Sequence, residues 1–370
     1  MSRALSLLDL ARPHIRDLKA YPPGKPIEEL ERELGISGAI KLASNESPIS
    51  PSPRVIAALA AAAANLNRYP DGSCFNVRKR LASHLGIKGE SLIFGAGSDE
   101  LLEMLVKVFL DPGDEVVYPW PSFAMYPIVT TGMGGRRVEV PPVEGLRTDP
   151  DKLCDAITER TKLLFLANPN NPTGTCLGKR EIERILERTP ERVVIVLDEA
   201  YAEYVRRPDY PQSLDWIGER RTLLVLRTFS KIFGLAGLRL GYAAAHPEMI
   251  QLLERARHPF NVGTLAQVAA CAALDDMKHV EQVRDLAHRG LRQLEVAFDK
   301  LGLPYVPSDA NFVLVEVGEK AREIDANLKR KGVIVRSMAE FGLTRHLRIT
   351  AGTPDENERL IEALAVELGR

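Results

Sequence analysis

Four short blocks, "DEVVYP", "KLLFLANP", "RVVIVLDEAY" and "RTLLVLRTFS", are near-continuous runs of Val, Leu and Ile rather than alternations of apolar and polar residues. A strand with one face in water alternates; a strand covered on both faces does not. Helical segments such as "PSFAMYPIVTTG" and "KREIERILERTP" separate most of the blocks. Strands alternating with helices need crossover connections, so the pattern predicts an α/β fold: a three-layer domain around a mainly parallel central sheet. In such a sheet ligands gather at the carboxyl ends of the strands. Here those ends are polar: Asn168 to Thr173, Asp198 to Tyr201 and Thr228 to Lys231.

The flanks differ from this middle. "VIAALAAAAANL" and "FNVRKRLASHLG" read as helices. "SLIFGAGSDELLEMLVKVFLDPGD" reads as strand, glycine turn and helix, with Ser98 as N-cap and acidic residues in the first turn. After about residue 260 come a long amphipathic helix near Val280 to Leu301, strand "NFVLVEV", helix "KAREIDANLKRKG", and strands "VIVRSM" and "LRITAG". Thr353, Pro354 and Glu356 open the last helix as a capping box. The expected organisation is an N-terminal arm over 1–45, proline-rich with short helical pieces, a large domain over 46–260 and a smaller α+β domain over 261–370. A chain of 370 residues suits two domains.

Composition removes several function classes. The formal net charge is −1 and no Lys/Arg-rich tract occurs, so nothing draws the chain to nucleic acid or a membrane surface. No apolar run is long enough to span a bilayer. Cys74, Cys154, Cys176 and Cys271 form no CxxC pair and have no histidine at ligand spacing, so neither a metal site nor a disulfide framework is expected. Asp9 and Arg12 interrupt the first apolar stretch, which lacks a signal-peptide core. These features together predict a cytoplasmic protein.

Taken singly, the polar strand ends say little. A lysine is usually solvated, an aspartate at a strand end usually caps a helix or forms a turn, and "GAGSDE" lacks the third glycine of a dinucleotide fingerprint. Their order is more telling, because it meets the needs of a carbonyl cofactor with a phosphate tail and a ring nitrogen. Gly97, Ser98 and Asp99 offer a helix N-terminus to a phosphate. Phe123 offers a flat face to a ring. Asp198 offers a carboxylate to a ring nitrogen. Asn171 and Tyr201 offer donors to a ring hydroxyl. Lys231 can form a Schiff base. Thr228, Ser230 and Arg239 add hydroxyls and a guanidinium for the phosphate.

The series "YPDG", "GAGSDELL", "NPNNPTG", "VVIVLDEAY" and "TFSKIFGLAGLRLGY" resembles the fold-type I pyridoxal-phosphate aminotransferases over nearly the whole chain. The resemblance implies that Lys231 tethers pyridoxal phosphate and that Asp198 pairs with the ring nitrogen. It implies that Asn171 and Tyr201 contact the ring oxygen. Gly97, Ser98, Asp99, Thr228, Ser230 and Arg239 then bind the phosphate, with Tyr69 reaching it from the second subunit of a homodimer. "KLASNESP", "NRYPD", "HPFNVGTLAQ" and the paired "VIVRSM" and "LRITAGT" are closer to the histidinol-phosphate aminotransferases. That likeness implies an amino donor, L-histidinol phosphate, and a 2-oxo acid acceptor such as 2-oxoglutarate. It implies a substrate phosphate held by Arg336, Arg348 and Tyr21, the tyrosine coming from the neighbour's arm, with Asn45 on the substrate side.

This chain has Ser47 and Ser50 where relatives usually show Asn and Gly, and Phe123 where many have Tyr; "SMAEFG" after Arg336 also departs from the usual pattern. The alternatives are an aromatic (phenylalanine) aminotransferase with a carboxylate on Arg348, and a decarboxylase of a phosphorylated amino acid. A transcription regulator with an aminotransferase-like domain would need a basic winged-helix segment in front, and the roughly 45 residues ahead of the large domain are neither basic nor patterned for three helices. A nicotinamide dehydrogenase would need the missing glycine and an acidic residue at a set distance.

Overall fold

In a computed structural model of the chain, which describes residues 6–16, 18–22 and 24–370, the apolar blocks are buried strands. Residues 1–5, Asp17 and Pro23 of the expected arm lie outside the described residues. In chain order the strands are β1 (Ile40–Lys41), β2 (Leu92–Gly95), β3 (Glu115–Pro119), β4 (Arg136–Val140), β5 (Thr161–Ala167), β6 (Val194–Asp198) and β7 (Leu223–Thr228). They continue with β8 (Gly241–Ala245), β9 (Tyr305–Val306), β10 (Phe312–Glu316), β11 (Val333–Ile334), β12 (Arg336–Ser337) and β13 (His346–Thr350).

The large sheet runs β2-β8-β7-β6-β5-β3-β4. All neighbours from β7 to β4 are parallel, and β8 alone runs antiparallel, between β2 and β7. Two of these strands are not marked by an apolar block. β4, "RRVEV", is an edge strand with three exposed residues, so its polar composition hides it. β8, "GYAAA", is buried but built mostly of small residues.

Side chains alternate between the two faces, as the two-residue strand period requires. Leu164, Leu166, Ile195, Leu197 and Val225 enter one core, and Leu163, Phe165, Val196, Leu224 and Leu226 the other. Each large apolar side chain buried this way contributes about 1.5–3 kcal/mol before entropy is counted. Helices Pro53–Ala62, Phe75–Leu85 and Thr264–Leu274 pack together over the first core. Ser98–Phe109, Met125–Gly132 and Pro247–Glu254 cover the second.

A second sheet, β12-β13-β10-β9, is antiparallel throughout. The segment "VIVRSM" does not form one strand. It divides at Val335: β11 pairs in parallel with β1, and β12 joins β13. The N-terminal segment is thereby hydrogen-bonded into the C-terminal body, and Leu30 packs in a small cluster with Ile334. The long helix Met277–Lys300 serves both bodies. Val280, Val283 and Ala287 pack in the large-sheet core, and Leu291, Leu294 and Phe298 in the core over the second sheet. Thr353 and Glu356 form the expected capping box.

Ser98 is not the N-cap of its helix. Gly97 takes that place at φ +86°, and Ser98 is the first helical residue. Glycine suits position 97 because any residue with a Cβ is strained at this positive φ, and its bare Cα also leaves room for the Arg239 guanidinium.

Candidate active site

One cavity lies where the carboxyl ends of β5, β6 and β7 meet the start of helix Ser98–Phe109 and the strands β12 and β13. Its floor is Asp198, the last residue of β6 and 4% exposed. All its hydrogen bonds are to neutral groups: Tyr126 Oη donates to Oδ2 at 2.9 Å and the Ala200 N–H to Oδ1 at 3.2 Å. Burial pushes its carboxyl up to about 6, against the pull of these two donors. No ammonium or guanidinium pairs with it among the described residues.

Lys231 follows β7 after two residues. Its Nζ donates to the Ser44 carbonyl at 3.1 Å and lies 5.7 Å from the centre of the Tyr201 ring. Burial, and then the charge of Arg348, push the amine down to about 8. Arg239 returns toward the same place from the far side of the loop. It sits in the left-handed region at φ +53°, which costs about 1 kcal/mol for a residue with a Cβ. That backbone lets its guanidinium donate to Ser230 Oγ at 3.3 Å and to Asp99 Oδ2 at 3.3 Å. Thr228 Oγ1 accepts the Ser230 N–H at 3.0 Å, so the hydroxyls at 228 and 230 are fixed by one turn. A Cβ on Gly241 would fall 2.5 Å from the Ser98 nitrogen, so the start of β8 can pass this close to the helix start only with glycine there.

The opposite wall comes from the N-terminal segment and the second sheet. Arg336 and Arg348 are direct partners across β12 and β13, so both project from the same face. Arg348 Nη1 donates to Asn171 Oδ1 at 2.6 Å and Nη2 to the Ala43 carbonyl at 2.5 Å, while its buried Nε has no partner. Desolvation lowers its pKa. Arg336 Nη2 donates to the Pro22 carbonyl at 3.1 Å and to Glu340 Oε2 at 3.2 Å. Its guanidinium lies 5.6 Å from the centre of the Tyr21 ring. Asn45 Nδ2 donates to Tyr201 Oη at 2.8 Å.

The cavity therefore brings together Ser98, Asp99, Phe123, Asn171, Asp198 and Tyr201 with Thr228, Ser230, Lys231 and Arg239. Tyr21, Asn45, Arg336 and Arg348 complete it, and Gly97 stands behind Arg239. Tyr21 and Tyr69 take opposite positions. Tyr21 lines the cavity of its own chain, beside the Pro22 carbonyl that accepts from Arg336. Tyr69 is not in this cavity: it is 83% exposed and stacks on Phe260 at 4.9 Å.

Some contributors were not picked out from the sequence. Tyr126 holds Asp198 from the first turn of helix Met125–Gly132. Asn170 cross-links the "NPNNPTG" loop to Ser122 and to the Pro121 carbonyl. Asn311 and Thr350 hold Asn45; each is a polar residue beside or within an apolar strand, which was the available signal. The carbonyls of Ala43 and Ser44 leave no trace in side-chain identity.

The donor set fits pyridoxal phosphate. A buried carboxylate without a cation suits a protonated ring nitrogen. The Gly97 cradle beside Arg239, Ser230 and the free N–H groups of a helix start suits a phosphate. An amine of lowered pKa suits a carbonyl carbon.

Comparison with known proteins agrees with this geometry. A family model described as aminotransferase class I and II matches residues 37–364. The chain is 48% identical over 354 residues to a histidinol-phosphate aminotransferase of Moorella thermoacetica, covering 95% of this chain and 92% of that one. It is 46% identical over 359 residues to histidinol-phosphate aminotransferase 1 of Nitrosococcus oceani, covering 97% of each. The crystal structure of histidinol-phosphate aminotransferase from Sinorhizobium meliloti in complex with pyridoxal-5'-phosphate superposes with a TM-score of 0.89 at 31% identity, covering 96% of this chain and 97% of that one.

Proposed function

The chain belongs to the class I and II aminotransferase family, and from that premise we propose that it moves an amino group between L-histidinol phosphate and 2-oxoglutarate, with pyridoxal phosphate as cofactor. The observation that carries the substrate reading is the cross-strand pair Arg336 and Arg348. Like charges directly opposite each other in a sheet repel. A dianionic phosphate between them relieves that repulsion, and two guanidinium forks suit a phosphate better than one carboxylate requires. The carboxylates of 2-oxoglutarate use the same cations in the second half of the exchange.

Pyridoxal phosphate, when bound, supplies the carbon that receives the amino group and a ring that withdraws electrons from it. The chain does the rest. Lys231 would hold the group through its Nζ, and that amine, when free, would take the proton from the amine-bearing carbon of the substrate. Its lowered pKa keeps a useful fraction of neutral amine near neutral pH. Asp198, held by Tyr126, presents its carboxylate to the ring nitrogen. Phe123 covers the ring face. Tyr201 and Asn171 serve the ring oxygen, and Asn171 also holds Arg348. Thr228, Ser230, Arg239 and the N–H groups of Gly97, Ser98 and Asp99 hold the phosphate. Tyr21 and Asn45 close the substrate side with the two arginines.

The same proposal makes the enzyme a cytoplasmic homodimer with an arm over 1–45, a large domain over 46–260 and a small domain over 261–370. The outward position of Tyr69 supports a role in a partner's site, and Ile56, Leu66 and Phe75 are further exposed apolar side chains in the same stretch of chain. No helix among the described residues is long and apolar enough to cross a membrane.

Two measurements test the reading. Lys231→Ala lowers turnover by about 10⁴-fold or more and removes the visible absorbance of tethered cofactor; normal turnover would refute the role of Lys231. In a side-by-side donor assay, kcat/KM for histidinol phosphate exceeds that for phenylalanine by about 10²-fold or more. The reverse order would make it an aromatic aminotransferase.

A further inference from the structure

We infer that Thr350 is a positioning residue that, through Asn45, fixes the direction in which the Tyr201 hydroxyl donates its proton. The inference rests on the proposal that Tyr201 serves the ring oxygen of the cofactor. Thr350 lies at the end of β13, and the Asn45 N–H donates to its Oγ1 at 2.9 Å. With that lone pair occupied, the Thr350 O–H is free to donate to Asn45 Oδ1 at 3.2 Å. Oδ1 is thereby the accepting end of the amide, and Nδ2 faces Tyr201 Oη at 2.8 Å. An amide NH₂ group only donates. Tyr201 Oη must accept this bond, which leaves its own single proton for the cavity that the ring lines.

The relay is held rigidly. Asn45 has left-handed backbone at φ +55°, and its carbonyl accepts from Asn311 Nδ2 at 3.1 Å. Asn45, Thr350, Tyr201 and Asn311 are all buried, so water does not compete for these bonds. The Tyr201 ring rests edge-on against Phe312, with centroids 5.2 Å apart. Every link is neutral, and burial pushes the Tyr201 phenol up to about 12, so the direction set by Thr350 persists across the working pH range. A tyrosine that both its neighbour and the ligand could turn would spend part of its time donating to the wrong oxygen.

The test is a spectral pH titration of the holoenzyme, reading the visible absorbance of the bound cofactor. Donation to an anionic ring oxygen favours the deprotonated form, so loss of directed donation raises the midpoint. Lys231, Asp198, Arg348 and the tyrosines Tyr21, Tyr126 and Tyr204 are the titratable or charged groups facing Tyr201, and all stay in place in every variant. Tyr201→Phe is expected to raise the midpoint by about one pH unit and Thr350→Val by about half a unit, with Thr350→Ser restoring it. Asn45→Ala is an independent route that adds no charge: it removes the donor, frees the Tyr201 hydroxyl to turn away from the cavity, and raises the midpoint even if Thr350→Val does not fold. A Thr350→Val titration that coincides with the parent while Tyr201→Phe shifts would overturn the relay alone. So would a Thr350→Ser titration as displaced as that of Thr350→Val, which would assign the effect to packing. No shift in Tyr201→Phe would overturn the Tyr201 contact itself, and the relay with it.

Discussion

Asp198 and Glu199 are consecutive carboxylates at the end of β6, and the protein treats them in opposite ways. Asp198 faces the cavity, receives only neutral donors, and has its pKa pushed up to about 6. Glu199 faces the other core at 1% exposure, where Arg227 Nε and Nη2 donate to its Oε2 at 2.9 and 2.7 Å. The neighbouring strand repeats the contrast, with Arg227 turned to the rear and Thr228 to the cavity. Strand periodicity alone sends adjacent residues to opposite faces. The charge balance differs because the rear pair completes itself, whereas the front charge is left for a cationic ligand atom to complete. Function is thus visible as a local electrostatic deficit, a carboxylate without a cation beside one that has its cation, even though Glu199 Oε1 itself accepts no hydrogen bond.

The strongest way to break this comparison is to impose the deficit on the rear. Arg227→Met leaves Glu199 buried and unpaired, and is expected to cost about 3–5 kcal/mol in urea unfolding. Adding Glu199→Gln should recover most of that loss, because the buried charge is gone. Equal instability of the single and double variants would show that packing, not charge, matters there.

The converse experiment removes the deficit at the front. A carboxyl whose folded pKa lies above its unfolded value carries a penalty that is absent below the unfolded pKa and complete above the folded one. For Asp198 the rise from 3.8 to about 6 corresponds to about 3 kcal/mol at most. Asp198→Asn should therefore stabilise the cofactor-free protein by about 1–3 kcal/mol at pH 7.5 and hardly at pH 4, while weakening retention of pyridoxal phosphate. A gain independent of pH would contradict the assignment.

The smallest effect is expected at the substrate wall. Glu340 is exposed and shares Arg336 Nη2 with the Pro22 carbonyl. Glu340→Gln should lower KM for histidinol phosphate by no more than about threefold, since an exposed ion pair is weak. It should leave KM for phenylalanine unchanged. A larger effect would mean that Glu340 sets the charge of the site.

The difference between strand ends also explains what could be read in advance. The apolar blocks announced β3, β5, β6 and β7, because strands covered on both faces have no polar alternation to confuse them with. β4 was hidden by its polar edge position and β8 by its alanines. Lys231, Asp198 and Arg239 were legible because their chemistry is unusual at strand ends and loops. Tyr126, Asn311 and Thr350 were not, because an isolated tyrosine, asparagine or threonine near a buried element is ordinary until its partner is known.

The sequence by itself determined the layered α/β architecture and the identity of the groups at the carboxyl ends of its strands, since both follow from local patterning of side chains. Only the tertiary structure decided how those groups are aimed. It divided "VIVRSM" between two sheets so that Arg336 stands opposite Arg348. It folded Tyr21 over its own chain's cavity, and brought residues 305 positions apart into contact at Asn45 and Thr350. Register and hydrogen-bond direction depend on partners distant in the chain, and no local pattern of residues contains them.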